Sequence, residues 1–305
     1  MEADAEVALI LDDSEAGWVR RTRMSWAGPL RRELSQRAEQ RALKHGLPYC
    51  LSYGRSPTVC FEACGDSRHG NFLPATYKAI LRNPNWRRRL QKVHSQYRKS
   101  LPRCEDGIRR ELDSCTSSDA LLMNVFCYPT VFRDGRVGSM LDVTPGATPD
   151  FGFRARVPLA NGKFDRTEID MRLGDLLIEA KLTESDFQRA PKTAVHAYRD
   201  FNEVFEDEGL PQTAKDYRSY QLIRNVLAAH VSGCAFCVLS DARRPELVEA
   251  WYAVMKCVRS VDLRMRCKVL TWQELARALP RTLIAFLGEK YGIDGCLRIA
   301  DCAEN

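Results

Sequence analysis

The stretch from 166 to 183 constrains the fold more than any other part of the chain. It reads RTEIDMRLGDLLIEAKLT. Apolar and polar residues alternate on both sides of Gly174-Asp175, which is typical of two strands joined by a two-residue turn. With that turn, Asp170 lies opposite Glu179 on the neighbouring strand. The apolar residues then share one face and predict a buried core: Ile169, Met171, Leu173, Leu176, Ile178, Ala180 and Leu182.

The opposite face of this hairpin carries charged residues, with Leu177 as its one apolar exception. Facing carboxylates such as Asp170 and Glu179 repel each other. A divalent cation would relieve the repulsion, because Mg²⁺ and Mn²⁺ prefer carboxylate oxygens. The cation would lower the pKa of a bound water, and Lys181 on the same face would orient that water or stabilise an attacked phosphate. The pattern predicts a metal site that hydrolyses phosphodiesters, and the solvated face of a sheet is the simpler alternative.

The elements around the hairpin predict an α/β fold with a mixed sheet. A helix over 117–127 and a strand over 151–157 precede the hairpin, and a helix over 217–230 and a strand over 234–239 follow it. Further segments predict helices over 192–206, 245–256, 272–279 and 282–291 and a strand over 268–270. The order α, β, β, β, α, β indicates a mixed sheet flanked by helices.

The turn before the hairpin is Asn161-Gly162, a strong signal for a two-residue connection. A strict register from that turn would place Phe153 on the face that carries the acids. We therefore expect a bulge near Pro158, since proline inside a strand commonly accompanies one.

The N-terminal third of the chain is basic. Residues 1–110 hold 21 Lys and Arg against 12 Asp and Glu, and the remaining residues hold 25 against 28. Between 67 and 104 there are ten bases and no acid, interleaved with Tyr77, Trp86 and Tyr97. Such a field attracts polyanions, and aromatic rings beside it can stack on bases. We predict a helix over 85–100 that contacts nucleic acid through Arg87, Arg88, Arg89 and Lys92, with a solvated helix as the alternative.

The twelve cysteines do not indicate a disulfide framework, because the chain is large and begins without an export signal. Reduced thiols in a cytoplasm are the expectation. Apolar runs fall far short of the roughly 20 residues that span a bilayer, so no membrane segment is expected. A zinc site is left open for Cys50, Cys60, Cys64 and His69, whose spacing matches no paired zinc knuckle.

The hairpin and its neighbours resemble the PD-(D/E)XK nuclease superfamily, also called restriction-endonuclease-like. Its core is an α-β-β-β-α-β unit whose second strand supplies an Asp and whose third supplies Asp/Glu-x-Lys. Asp170 matches the first acid, and Glu179 and Lys181 match the second motif. The segments 117–124 and 220–225 resemble uncharacterised bacterial members, and the resemblance covers about 111–280.

The resemblance implies roles for residues outside the hairpin. Gln221 would orient water or phosphate from the later helix. Glu111 would help bind the metal from the first helix, with Asp119 as the alternative. The proline of the family motif is absent before Asp170 but present before Asp150, which makes Asp150 a competing first acid. We prefer Asp170 because the short hairpin brings it opposite the second acid.

The whole chain is interpreted as a basic, mainly helical N-terminal region over 1–110 followed by a nuclease-like domain over 111–305. The resemblance implies a cytoplasmic bacterial DNA endonuclease that uses Mg²⁺ or Mn²⁺, with a restriction or defence role by analogy and a homodimer as the assembly considered. Two alternatives remain. One is a nucleic-acid-binding module without hydrolysis, and the other is a nuclease acting on RNA or branched DNA.

Overall fold

The structure is a computed structural model that describes residues 26–52, 57–64, 68–93 and 110–295. Its helices are α1 (Ala27–His45), α2 (Pro74–Arg82), α3 (Pro84–Arg89), α4 (Ser118–Phe126), α5 (Arg136–Leu141), α6 (Lys192–Val195), α7 (Phe201–Val204), α8 (Tyr220–Ser232), α9 (Pro245–Met255), α10 (Val261–Arg266), α11 (Trp272–Ala276) and α12 (Arg281–Tyr291). Its strands are β1 (Tyr49–Leu51), β2 (Val59–Phe61), β3 (Ala63–Cys64), β4 (Arg68–His69), β5 (Pro149–Arg154), β6 (Val157–Pro158), β7 (Phe164–Asp165), β8 (Glu168–Leu173), β9 (Leu176–Ala180), β10 (Arg189–Pro191), β11 (Asp216–Arg218), β12 (Ala235–Ser240) and β13 (Cys267–Thr271).

A five-stranded mixed sheet in the order β13-β12-β9-β8-β5 forms the centre of the protein. Strand β8 pairs antiparallel with both β5 and β9, whereas β12 pairs parallel with both β9 and β13. The series α4, β5, β8, β9, α8 and β12 has the predicted order α-β-β-β-α-β. The prediction of an α/β fold with a mixed sheet flanked by helices is therefore confirmed.

Helices bury both faces of this sheet. On one face, Leu177, Phe236 and Val238 pack against α8 and α9 in what we call the α8-side core. On the other, Met171 and Ile178 pack with residues of α1, α4 and α12 in the α4-side core. This arrangement explains why Leu177 breaks the alternation, because the face it occupies is also covered. It also corrects one prediction, since Ile169 is buried in the α8-side core and not with the six other apolar residues.

The register of the β8–β9 hairpin is the predicted one. Met171 pairs with Ile178 and Leu173 with Leu176. Gly174 takes the left-handed conformation at φ 59°, which a tight turn requires and which glycine adopts without steric cost. The turn therefore aligns Asp170 with Glu179 as expected.

The β5–β8 register corrects the expected bulge near Pro158. Pro158 on β6 pairs with Phe164 on β7, and Phe153 on β5 pairs with Ile169 on β8. The register is the same in both pairs, so no residue is inserted between them. The loop is one residue longer than a two-residue hairpin, because the Leu159 amide donates to the Lys163 carbonyl at 2.8 Å across residues 160–162. That extra residue, and not a bulge, removes Phe153 from the position opposite Asp170.

The predicted helix over 192–206 is wrong, because the chain forms only the short helices α6 and α7 there. Between them, the backbone pairs with the β6–β7 loop. The Ala160 amide donates to the Ala197 carbonyl at 2.8 Å, and the Arg199 amide donates to the Pro158 carbonyl at 3.1 Å. The predicted helix over 217–230 begins later, at Tyr220, because residues 216–218 pair with β10.

The basic region contains short strands as well as helices, so its description as mainly helical is only partly right. The helix predicted over 85–100 ends at Arg89 as α3, and residues 94–100 lie outside the described residues. Helix α1 contributes Leu30 and Leu34 to the α4-side core, and it packs along α12. The boundary at residue 110 stays a prediction. None of the helices in the described ranges combines the length and apolar character needed to cross a bilayer.

Glu289 on α12 joins α1 to the rest of the structure. It accepts from Arg41, from Lys44 at 2.9 Å and from His45 at 3.1 Å. Burial alone would raise the pKa of Glu289, but hydrogen bonds from Lys44 and His45 and the charge of Arg41 outweigh it and lower that pKa to about 2. A lowered carboxylate pKa stabilises the fold above the ordinary value of 4.5, and this contribution is lost as the pH falls toward 2.

We therefore expect Glu289→Gln to lower the free energy of unfolding at neutral pH. Because the side chain is 32% exposed, solvent screening limits the effect to about 1 kcal/mol. Denaturant unfolding should show this difference at pH 7 and a smaller one as the pH falls below 4. Glu249→Gln, on the exposed side of α9, is the matched control. Equal stability of Glu289→Gln and the parent at pH 7 would contradict the prediction.

Candidate functional site

The predicted acids lie together between β8 and β9. The backbone ladder ends at the pair of Met171 and Ile178, and the side chain of Asp170 replaces the next backbone bond. Its Oδ2 accepts from the Ala180 amide at 2.8 Å. Glu179 is 2% exposed, because α8 covers its face of the sheet. The two carboxylates therefore occupy a sheltered position at the end of the hairpin.

Lys181 lies between an acid and an amide from two different elements. Its Nζ donates to Glu179 Oε1 at 2.8 Å and to Gln221 Oε1 on α8 at 2.8 Å. The lysine is 4% exposed, so both bonds lie in a poorly hydrated environment that strengthens them. The structure thus brings all four residues of the predicted site together: Asp170, Glu179, Lys181 and Gln221.

Burial and neighbouring charges act together on the pKa of Asp170 but against each other on the pKa of Lys181. Burial, the charge of Glu179 and the charge of Asp119 raise the pKa of Asp170 well above its usual range. Burial alone would lower the pKa of Lys181, but the charges of Glu179, Glu184 and Asp170 outweigh it and raise that pKa to about 12. The lysine is therefore an ammonium near neutral pH, whereas burial and the neighbouring acids oppose the ionisation of Asp170.

Asp150, the competing first acid, lies elsewhere. It is exposed on β5, the strand at the edge of the sheet, where it pairs with Arg172. Strand β8 separates it from Glu179 on β9 and from Lys181, which directly follows β9. The geometry favours Asp170 as the partner of Glu179.

Sequence reasoning missed two residues that hold the acid pair in place. Asn225 on α8 is fully buried and donates from Nδ2 to Glu179 Oε2 at 2.9 Å. Arg224 fixes the orientation of that amide, since its Nε and Nη2 both donate to Asn225 Oδ1, at 3.1 and 2.8 Å. The sequence signal was present, because both residues share a polar helix face with Gln221.

Arg244 is a third residue that the sequence did not indicate. It is fully buried ahead of α9, and it donates to the carbonyls of Leu182 at 2.9 Å and Glu184 at 2.7 Å. Trp272 adds a bond from Nε1 to the Lys181 carbonyl at 3.0 Å. These contacts fix the backbone that carries the lysine, and no local pattern predicts them because they join segments about 60 to 90 residues apart.

A second group of charges lies beside the acid pair, and we call it the outer acid cluster: Glu111, Asp119 and Glu168. Two cations from the N-terminal region bind it. Arg89 contacts Asp119 at 2.8 Å and Glu168 at 2.7 Å. Lys92 contacts Asp119 at 2.8 Å and Glu111 and Glu168 at 3.3 Å each. Burial would raise the pKa of Asp119, but these two cations outweigh it and lower the value. Glu111 and Asp119, both predicted as possible metal-binding acids, are therefore close to the site but paired with basic side chains.

Gly152 provides the space through which Arg89 reaches the outer acid cluster. It lies in β5 with φ 71°, in register with Asp170. A Cβ atom at this position would lie 2.4 Å from Arg89 Nη1 and 3.2 Å from the Glu168 carboxyl carbon. Only glycine accommodates both the backbone conformation and the guanidinium.

The predicted nucleic-acid contacts divide into two pairs. Arg87 and Arg88 are exposed on α3, whereas Arg89 and Lys92 turn inward to the outer acid cluster. The expectation of base stacking by the interleaved aromatic rings is corrected for two of them. Tyr77 is buried against Phe72, and half-buried Trp86 packs on Phe151 and donates to the Pro149 carbonyl. Tyr97 lies outside the described residues.

The residues present fit a hard divalent cation. Among the described residues, no three His, Cys, Asp or Glu side chains form a ready metal site. Mg²⁺, however, is commonly bound by one or two protein carboxylates together with waters and substrate phosphates. Asp170 on β8 and Glu179 on β9 provide two carboxylates from neighbouring strands.

The cysteines considered for zinc do not converge with His69. Cys50 and Cys60 pair across β1 and β2, and Cys64 is exposed. The imidazole of His69 bonds to Asp113 at 3.3 Å and accepts from the Asn71 amide at 3.2 Å. Its nitrogens are thus already used within the fold.

A family model described as Restriction Endonuclease associating with ARP matches residues 33–292. The match extends the similarity into the basic region over 1–110, which the resemblance over 111–280 left out. No curated protein and no solved structure matches the chain.

Proposed function

The chain belongs to the REase-ARP family of restriction endonucleases, and from this membership and the site geometry we propose that it is a DNA endonuclease dependent on Mg²⁺ or Mn²⁺. The observation that carries the proposal is the grouping of Asp170 on β8 with Glu179 on β9 and Lys181 directly after β9, of which the last two are buried and bonded to each other. Such a group would be costly to bury without a use, because its two acids repel each other.

The side chains of the site would divide the work of hydrolysis. Asp170 and Glu179 would hold the cation, which supplies positive charge at the attacked phosphate and lowers the pKa of water. Lys181 would direct its ammonium at the phosphate or the attacking water, and Gln221 would fix the position of that ammonium through their 2.8 Å bond. Asn225 would keep the Glu179 carboxylate from rotating. Preorganised charges of this kind stabilise a transition state without reorganisation at the moment of reaction.

Substrate binding would involve the exposed side of α3. Arg87 and Arg88 lie on that side, and their charges suit contacts with phosphates of many sequences. The family description names ARP as an associated partner, so we include ARP among the expected partners. A restriction or defence role, a bacterial cytoplasm and a homodimer complete the proposal by family analogy. None of the nine described cysteines forms a disulfide, which is compatible with a reducing compartment.

Cleavage assays with several nucleic acids test the proposal. Purified protein should be incubated with supercoiled plasmid, single-stranded DNA, branched DNA and RNA, each with Mg²⁺, Mn²⁺ or a chelator. We expect nicking or linearisation of the plasmid only with a metal ion. Cleavage restricted to RNA or to branched DNA would replace the proposed substrate. Binding of DNA without cleavage of any substrate would favour the non-catalytic module.

A further inference from the structure

Arg89 and Lys92 come from the basic region that is proposed to bind nucleic acid, yet they lie against acids of the active site. Their shortest contacts to the outer acid cluster are 2.7 and 2.8 Å. The same donors, a guanidinium fork and an ammonium, are the ones that bind phosphate oxygens most strongly. Each of these side chains can therefore bind either the outer acid cluster or a phosphate group of nucleic acid, but it cannot bind both fully at the same time.

The contact between Arg89 and the outer acid cluster is largely buried, unlike an ordinary surface ion pair. The Arg89 side chain is only 9% exposed and the Asp119 side chain only 4% exposed. Gly152 leaves the guanidinium a passage that any other residue would close. The outer acid cluster borders the acid pair, because Glu168 precedes Asp170 by two residues on β8. Arg89 and Lys92, both paired with Glu168, therefore lie close enough to change the electrostatic potential at the acid pair.

The charge balance shows what the two cations do. The outer acid cluster and the acid pair together hold five carboxylates, and the three cations bound to them are Arg89, Lys92 and Lys181. Two negative charges are left when all are ionised, the charge of one divalent cation. Without the two N-terminal cations, the excess would be four. Arg89 and Lys92 thus weaken the attraction of the site for a metal ion as long as they stay paired.

We propose that Arg89 and Lys92 are positioning residues that couple metal binding to DNA binding at the nuclease site. In the free protein they neutralise the outer acid cluster, and DNA phosphates draw them away from it. The released acids then increase the affinity of the acid pair for the divalent cation. This inference rests on the proposed function, and the coupling must be reciprocal, so the metal ion must tighten DNA binding by the same factor.

The test measures both sides of this coupling with Ca²⁺, which we use to suppress cleavage, and a duplex of about 20 base pairs. Calorimetry gives the Ca²⁺ affinity without DNA, and fluorescence anisotropy gives the DNA affinity with and without Ca²⁺. The parent should show coupling of about tenfold, within the usual range for linked sites. Arg89→Gln/Lys92→Gln should bind Ca²⁺ several-fold tighter without DNA, and its coupling factor should fall toward one.

Arg87→Gln/Arg88→Gln is the matched control, since it also removes two positive charges, from positions on α3 next to Arg89. It should bind DNA more weakly with a smaller salt dependence, but keep the parent's Ca²⁺ affinity and coupling factor. Gly152→Ala is a second variant that retains both charges and displaces the Arg89 guanidinium. It should change the Ca²⁺ affinity in the same direction as Arg89→Gln/Lys92→Gln. This result would show that the position of the guanidinium matters and not only its charge. Gly152→Ala also keeps the inference testable if Arg89→Gln/Lys92→Gln fails to fold.

The outcomes distinguish this inference from the proposed function. If the parent binds neither Ca²⁺ nor duplex, the proposed function is wrong. A second outcome is that the parent binds both Ca²⁺ and the duplex while Arg89→Gln/Lys92→Gln has the same coupling factor and the same Ca²⁺ affinity without DNA. That result would overturn only the inference. If the two cations had a purely structural role, Arg89→Gln/Lys92→Gln would have a lower melting temperature than the parent. Its Ca²⁺ affinity and its coupling factor would equal those of the parent.

Discussion

Asp170→Asn is expected to abolish most DNA cleavage while leaving the protein folded. The amide retains an oxygen that can accept from the Ala180 amide, so the hairpin keeps its bond. It loses the negative charge that would hold the cation. Because metal-ion catalysis supplies several kcal/mol and each ~1.4 kcal/mol is a factor of ten, the cleavage rate should fall about a thousandfold. The melting temperature without metal should stay the same or rise, since burial and the charge of Glu179 oppose ionisation of Asp170.

The matched control for this variant is Asp150→Asn, which removes the same charge from the exposed position on β5. Its cleavage rate should lie within about twofold of the parent's, as expected for a surface change away from the reacting groups. Plasmid cleavage under single-turnover conditions measures both variants. An active Asp170→Asn beside an inactive Asp150→Asn would show that the first acid of the motif is Asp150.

Arg244→Met should produce the largest loss of stability of the substitutions considered, about 3 kcal/mol. The guanidinium is fully buried, donates to three backbone carbonyls and contacts Glu246 at 2.6 Å. Removing one partner of a buried charge pair leaves the other uncompensated, which commonly costs about 3–5 kcal/mol. The carbonyls of Leu182, Glu184 and Ser185 would also lose a donor. Urea unfolding followed by circular dichroism measures the change.

Arg133→Met is the control for this prediction, because Arg133 is an exposed arginine and the substitution is the same. Its unfolding midpoint should stay close to that of the parent. Arg244→Met should also cleave more slowly under conditions where it remains folded, because the affected carbonyls lie within four residues of Lys181. An unfolding midpoint for Arg244→Met equal to the parent's would mean that water replaces the guanidinium at no cost, and the prediction would be wrong.

The sequence predicted the part of the fold that depends on local alternation. The β8–β9 hairpin was predictable because a two-residue turn and six apolar positions agree on one register, and a slip by one residue would invert every side chain. Helix α4 was predictable from its cap, since the Ser117 hydroxyl accepts from the Ala120 amide. With this hairpin fixed, Asp170 and Glu179 had to be neighbours.

Features that depend on distant segments were not predictable. Arg89 on α3 contacts Asp119, which is 30 residues away, and Glu168, which lies on β8. A basic run looks the same in sequence whether its side chains face solvent or acids. The helix predicted over 192–206 failed for a similar reason, because its backbone bonds to the β6–β7 loop in place of its own next turn. Tertiary pairing outweighed helical propensity there.

The loop over 160–162 lies on the surface, where insertions and deletions are ordinarily tolerated. Its three residues, however, set which residue of β5 stands opposite Asp170. A two-residue turn at Asn161-Gly162 would pair Ala160 with Lys163 and slide β5 by one position, so that Phe153 would replace Gly152 opposite Asp170. The passage used by Arg89 would then be closed by an aromatic ring. The choice between a two-residue and a three-residue turn at the surface thus decides which side chain of β5 borders the candidate site.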